Sequence, residues 1–217
     1  MLMTAADYRE SLRAYKPRVF VNGAAVDSVA DDPRLAPGVN AVGITYDFAL
    51  APEHRTIMTA RQGTSGKTVN RMLHINETST DLLHKLEAVR LVCKVSGCAQ
   101  RYLTHDALNG IFQATRRTDD AHGTDYAQRF LNYLHEVQDR DLTLGVAMTD
   151  AKGDRSKRPG AQVNPDVYVH IVERRPDGIV IRGTKAIVTG APYMHEFLVM
   201  PCRTHTKEDA DFAVCCA

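Results

Sequence analysis

The period of the apolar residues changes near Asp141, and this change constrains the fold more than any other feature of the chain. Before it, apolar residues recur at helical intervals over 82–93, 107–115 and 126–137. After it, short runs with strand periodicity alternate with turn residues. The sequence therefore predicts an α+β fold, with a helical domain and a small hairpin over 1–140 and an antiparallel β-sheet or β-barrel domain over 141–217.

Local signals mark where several elements begin and turn. Thr4 and Thr78 each precede an aspartate by three residues, which is the spacing of a helix-capping box. Asn22-Gly23 lies between apolar runs and predicts a type I′ hairpin. Prolines at 33, 37 and 52 indicate irregular connections.

The second half contains the strand signals. A buried strand is predicted over 142–146, and a turn is predicted over 175–178. The apolar run over 212–217 has no turn signal after it, so we expect a strand that is cut short and a chain that is part of a longer protein. The other predicted strands cover 167–172, 179–181, 186–188 and 197–200.

Composition excludes several classes of function. Lys plus Arg number 27 and Asp plus Glu 26, so a net charge of +1 does not favour capture of nucleic acid or an anionic membrane. The first residues include Asp7 and no apolar core segment, so we expect no signal peptide, and no apolar run has membrane-spanning length. Five irregularly spaced cysteines indicate reduced thiols and a cytoplasmic location.

The segment AMTDAKGDRSKRP, residues 147–159, follows the predicted buried strand and is rich in hydrogen-bond donors and acceptors. Such a loop, held by a rigid scaffold, can grip a large polar ligand such as a dinucleotide. A second candidate is the strand flanked by 183–185 and 189–192, whose small and hydroxylic residues would let a planar ring lie against the backbone. Ordinary hairpin ends remain the alternative interpretation.

Other motifs favour structural roles. The segment 63–68 resembles a phosphate-binding loop, but Arg61 stands where that motif needs a glycine. Cys93 lies on an apolar helical face and is predicted to be a core residue, whereas Cys98 lies where the pattern breaks and could be functional. His170 is predicted to be a hydrogen-bonded sheet residue, and His195 is compatible with a structural or a functional role.

Five blocks carry a resemblance to a known family: the first thirteen residues, 66–71, 98–101, 147–155 and 177–186. They resemble the flavoprotein family of the 4-hydroxyphenylacetate 3-hydroxylases, and within it the 4-hydroxybutyryl-CoA dehydratase/vinylacetyl-CoA isomerase branch. The resemblance implies an acyl-CoA dehydrogenase-like fold: a helical N-terminal domain, a β-barrel middle domain and a helical C-terminal domain. We expect this chain to end within the middle domain, so that the C-terminal domain is absent.

The resemblance also assigns site residues. FAD would be held by Thr189 and by the loop residues Met148, Thr149, Asp150, Ala151, Lys152, Gly153, Asp154 and Arg155. Arg101 matches a substrate-binding arginine of the hydroxylase branch, while Val146 stands where that branch has a phenol-binding histidine. Cys98 matches the first of two iron–sulfur ligands four residues apart, but the second position is Tyr102. A tyrosine is a poor replacement for a thiolate, so we expect no iron–sulfur cluster.

Three functions follow as expectations. The first is an FAD-dependent dehydratase or isomerase acting on a CoA ester, without the cluster. The second is a monooxygenase that acts on a phenol with reduced flavin from a separate reductase. The third is an inactive remnant or an interaction module. For the complete family member the resemblance implies a homotetramer.

Overall fold

The computed structural model describes residues 1–98 and 100–217. It contains both helices and strands, as predicted, and divides into two compact units. The first unit comprises 1–144 with 192–195, and the second comprises 145–191 with 196–217. Among the described residues, no helix is both long and apolar enough to cross a lipid bilayer.

Helices dominate the first unit, as the period of the apolar residues predicted. Two short antiparallel hairpins, β1–β2 and β3–β4, complete it. The elements are α1 (Ala5–Ala14), β1 (Phe20–Val21), β2 (Ala24–Ala25), α2 (Ala36–Leu50), α3 (Arg55–Met58), β3 (Thr59–Arg61), β4 (Thr68–Asn70), α4 (Ser79–Ser96), α5 (Arg101–His122) and α6 (Tyr126–Asp139).

The predicted start and turn signals are confirmed. Thr4 and Thr78 each form a complete capping box, in which the threonine side chain accepts from the third helical amide and the aspartate there returns a bond. Asn22 and Gly23 have φ values of 52° and 80°, as the predicted hairpin turn requires. Local chemistry therefore decides these boundaries.

The helix α2 was not predicted, because Pro37 was interpreted as part of an irregular connection. Pro37 in fact lies in the first turn of α2, where a missing N–H costs no intrahelical hydrogen bond. Within this helix, Val39, Val42 and Tyr46 are almost fully buried. Proline marked the beginning of the helix.

The helix α4 was predicted correctly, but its buried face was not. Leu82, Leu83 and Leu86 are between 46% and 59% exposed. The buried line instead includes Ala88 and Val92, which pack with Ala49, Met58 and Met72. Cys93, predicted to be a core residue, is exposed because it lies one residue, about 100° of helical rotation, away from Val92.

The second unit contains short strands and irregular loops. β5 (Leu144–Ala147) pairs with β8 (Glu196–Val199), and β6 (His170–Arg175) pairs with β7 (Gly178–Arg182) as an antiparallel hairpin closed by the turn predicted at 175–178. No closed barrel forms among the residues described, which carry only two-stranded sheets. The segment 186–188 is not a strand, contrary to the sequence prediction.

The two histidines discussed above have structural partners. His170 is 8% exposed at the start of β6 and stacks on Phe212 with ring centroids 5.0 Å apart, as a sheet residue should. The Nδ1 of His195 accepts the Thr143 backbone N–H at 2.9 Å, so its proton resides on Nε2. The Nε2–H donates a hydrogen bond to the hydroxyl oxygen of Ser11 at 2.7 Å, and the Ser11 hydroxyl donates to the Tyr8 carbonyl. His195 is therefore a neutral structural residue of the first unit.

We predict that His195 makes stability depend on pH. Burial, and secondly the charge of Arg101, lower the pKa of His195 to about 4. In the unfolded chain this imidazole binds a proton near pH 6.5. The free energy of unfolding therefore falls by up to about 3 kcal/mol as the pH falls from 6.5 to 4. The measurement is the free energy of unfolding in urea as a function of pH.

His195→Asn is the informative variant for this measurement, because its amide oxygen can accept the Thr143 N–H without titrating. We expect it to show a smaller loss of stability over the same pH range. Some slope should persist, since burial lowers the pKa of His105 to about 4 as well. Parallel curves for the variant and the wild type would contradict the assignment.

Candidate functional site

The loop over 148–155 leaves β5 and lies beside the segment 184–186 in the second unit. The Ala186 N–H donates to the Thr149 carbonyl at 2.8 Å, and the Ala151 N–H donates to the Thr184 carbonyl at 3.4 Å. Asp150 and Lys185 form an isolated antiparallel bridge between them. The structure thus brings together the two segments that the sequence identified separately as candidates for ligand binding.

The middle of the loop has an unusual backbone. Lys152 and Gly153 both have positive φ, 71° and 46°. A Cβ at Gly153 would lie 2.5 Å from the Gln162 side-chain oxygen, so any other residue here would require the Gln162 side chain to move. Gln162 holds the turn by accepting the Asp154 N–H at 3.0 Å and donating to the Asp154 carbonyl at 2.8 Å. No motif in the sequence indicated this role of Gln162.

Asp150 and Lys185 form a buried ion pair at the base of the loop. Their oxygen and nitrogen atoms are 2.7 Å apart, and the two side chains are 5% and 11% exposed. The Asp150 carboxylate is therefore engaged within the protein. Among the described residues that were predicted to contact the cofactor, Asp150 alone is buried.

The other predicted loop residues are more accessible. Thr149 and Lys152 are half-buried, and Thr189 is exposed at the end of the second segment. Ile187, which the sequence prediction missed, is 90% exposed with a φ of 55°, an uncommon conformation for a β-branched residue. The exposed loop residues are Met148, Ala151, Gly153, Asp154 and Arg155. Hydroxyls, amides and cations thus lie along one pair of segments, a donor set that suits a dinucleotide.

Cys98 lies in the first unit, just after Gly97 ends α4 with a left-handed φ of 69°. Ala99, which belongs to the same sequence block, lies outside the described residues. Tyr102 is in the first turn of α5, half-buried against the core of the unit, with the Lys85 ammonium 5.7 Å from its ring centre. The described residues contain no group of three metal-ligating side chains. Residue 102 is a tyrosine and provides no thiolate to an iron–sulfur cluster. The absence of the cluster stays a prediction.

Arg101 is fully buried in the first unit. Its guanidinium donates to the Asp141 carboxylate and to the Leu142 carbonyl, both at 3.0 Å, and lies 4.2 Å from the ring centre of Tyr46. Burial raises the pKa of Asp141, and the charge of Arg101 opposes this rise. These contacts show a structural role, and the predicted role in substrate binding is not tested by them.

Comparison with known proteins identifies the family. The model for the 4-hydroxyphenylacetate 3-hydroxylase N-terminal family matches residues 4–217. The chain belongs to this family. Its relatives include the 4-hydroxybutyryl-CoA dehydratase/vinylacetyl-CoA-Δ-isomerase of Clostridium aminobutyricum, 41% identical over 99% of this chain and 44% of that protein. The 4-hydroxyphenylacetate 3-monooxygenase oxygenase component of Thermus thermophilus is 28% identical over 93% of this chain and 41% of that protein.

Solved structures of the family agree with this assignment. An oxygen-tolerant archaeal 4-hydroxybutyryl-CoA dehydratase from N. maritimus superposes with a TM-score of 0.95 at 38% identity, covering 99% of this chain and 43% of that one. A 4-hydroxyphenylacetate 3-monooxygenase oxygenase component complexed with FAD and 4-hydroxyphenylacetate gives a TM-score of 0.80 at 26% identity, covering 98% and 44%. The chain spans less than half the length of these family members.

We predict that Gly183→Ala strongly destabilises the second unit. Gly183 has a φ of 137°, and a Cβ there would lie 2.1 Å from the Tyr168 carbonyl oxygen. We expect a loss of about 2–4 kcal/mol in the free energy of unfolding, measured with urea. Gly178→Ala is the control, because no atom lies within 4 Å of its Cβ position, and it should change stability by less than about 1 kcal/mol. Equal effects of the two substitutions would contradict this prediction.

We also predict that Arg101→Met destabilises the first unit by about 3–5 kcal/mol, because it leaves Asp141 buried without its counter-charge. Arg140→Met removes an exposed arginine that pairs with Glu136 at 3.1 Å, with side chains 52% and 60% exposed, and serves as the control. It should cost less than about 1 kcal/mol. Urea unfolding measures both. A change in the free energy of unfolding as small for Arg101→Met as for Arg140→Met would contradict the structural role of Arg101.

Proposed function

We propose that this chain is the FAD-binding part of an enzyme that acts on a CoA ester, in the dehydratase/isomerase branch of its family. The observation that carries the proposal is the pairing of the loop over 148–155 with the segment 184–186. These are the neighbourhoods in which the resemblance places FAD contacts. The chain is 41% identical to the dehydratase/isomerase and 28% identical to the Thermus thermophilus monooxygenase component, and this difference favours the dehydratase/isomerase branch.

In this proposal the protein residues bind and orient FAD. Lys152 and Arg155 would offset the charge of the diphosphate, and the Thr189 hydroxyl would bond to the edge of the flavin. The exposed Ile187 offers an apolar surface next to Thr189. The bound flavin would supply electron transfer to and from the substrate, which is needed where the proton to be removed is only weakly acidic. The irregular strands of the second unit would complete a β-barrel middle domain in the full-length protein.

A monooxygenase that uses reduced flavin is the second candidate function. The structural similarity to an oxygenase component complexed with FAD and 4-hydroxyphenylacetate favours it. Val146 stands where the resemblance places a phenol-binding histidine of the hydroxylase branch, and this argues against a phenol as the substrate. In both cases we propose a cytoplasmic homotetramer without an iron–sulfur cluster, and the second case also requires a flavin reductase as a partner.

We predict that the chain binds FAD and that Thr189→Val weakens this binding about tenfold, because one hydrogen bond to the flavin is lost. Quenching of flavin fluorescence on titration gives the dissociation constant. Thr204→Val is the control, since its exposed side chain belongs to the same unit and lies outside both candidate segments. If the wild-type chain fails to bind FAD, an inactive remnant or an interaction module becomes the better description.

The substrate class is tested on the full-length protein. With FAD bound, it should move the double bond of vinylacetyl-CoA into conjugation with the thioester, which ultraviolet absorbance detects. Oxygen-dependent turnover of a phenol with a flavin reductase, and no isomerisation, would instead support the monooxygenase. This measurement separates the two candidate reactions while both retain FAD binding.

A further inference from the structure

We propose that Lys185 is a positioning residue for FAD, which holds the loop over 148–155 in the conformation that accepts the cofactor. This inference rests on the proposed function, because the same loop is the proposed FAD site. It assigns a role to a residue that the sequence comparison left without one. Lys185 would act through the loop and would not itself contact FAD.

The ammonium group of Lys185 has three acceptors within the second unit. It donates to the Met148 carbonyl at 2.9 Å and to the Met200 carbonyl at 2.7 Å, and it lies 2.7 Å from the Asp150 carboxylate. A lysine ammonium has three N–H donors, so these acceptors saturate it. It therefore has no donor left for a diphosphate, in contrast to Lys152 and Arg155.

These contacts tie several segments of the unit together. Met148 and Asp150 are in the loop, whereas Met200 follows β8. Asp150 extends the connection, because its carboxylate also accepts the Val169 N–H at 3.4 Å, just before β6. One side chain, Lys185, thus fixes the base of the loop to the strands on which it is built.

Burial makes the arrangement specific. The Lys185 and Asp150 side chains are 11% and 5% exposed, so loss of either one leaves a poorly solvated charge. The loop must then shift until water reaches the remaining charge. A loop that adopts its binding conformation only part of the time binds its ligand more weakly, in proportion to that fraction. If removal of Lys185 reduces the fraction to a tenth, FAD affinity falls tenfold.

The main experiment compares Lys185→Met with Lys207→Met in the same chain. Lys207 is the control, because it carries the same charge in the same unit, is exposed and lies outside both candidate segments. We expect Lys185→Met to raise the dissociation constant for FAD at least tenfold and Lys207→Met to change it less than twofold. A folded Lys185→Met protein with an FAD affinity within twofold of the wild type would overturn the proposal.

A second readout needs no cofactor. The amides of Ala151 and Lys152 donate to the Thr184 and Val167 carbonyls in the unliganded fold. In Lys185→Met these two amides should exchange with deuterium at least tenfold faster than in the wild type, while amides in α2 keep their protection. Unchanged exchange in the loop would show that Lys185 does not position it.

A double-mutant cycle with Asp150→Asn tests whether the two residues act as one unit. If they do, the double variant weakens FAD binding no more than Lys185→Met alone. If the double variant instead weakens FAD binding by the product of the two single effects, Lys185 does not act through Asp150. If Lys185→Met does not fold, Asp150→Asn alone carries the test, with the same expected loss of affinity and the same exchange measurement. A wild-type chain that fails to bind FAD refutes the proposed function. The exchange measurement then still tests whether Lys185 holds the loop over 148–155 in place.

Discussion

The guanidinium of Arg101 is the contact on which the first unit depends. It is fully buried and bonds to Asp141 and Leu142, which follow α6, while it stacks on Tyr46 of α2. A buried cation is tolerated only where nearby acceptors replace its water, so the surrounding elements must keep their positions. Asp141 in turn accepts the Met3 N–H at 3.1 Å, which connects the chain before α1 to the same centre.

Lys185 provides a similar centre in the second unit. There too, one cation binds one carboxylate and backbone carbonyl groups in place of water. The difference lies in what the contacts fix. Arg101 fixes packed helices, whereas Lys185 fixes the base of an otherwise exposed loop. A loop held at its base can present its outer groups to a ligand at a small cost in entropy, which is the physical basis of the proposed FAD site.

Several parts of the fold could be predicted because they depend on neighbouring residues only. The capping boxes at Thr4 and Thr78 and the Asn22-Gly23 turn need nothing beyond their own few residues. The buried face of α4 could not be predicted, because leucine spacing does not say which line of a helix meets other elements. For the same reason, the exposure of Cys93 was visible only in the folded unit.

The candidate site shows the same division. The sequence by itself determined the family and indicated the loop over 148–155 and Thr189, because these depend on residue identity and order. Only the tertiary structure decided that Asp150 faces inward to Lys185 and that Gln162 holds the turn at Gly153. It also placed His195 against Thr143 and Ser11. Each of these pairs joins residues far apart in the chain or on opposite sides of a turn, and such contacts exist only once the surrounding backbone has folded.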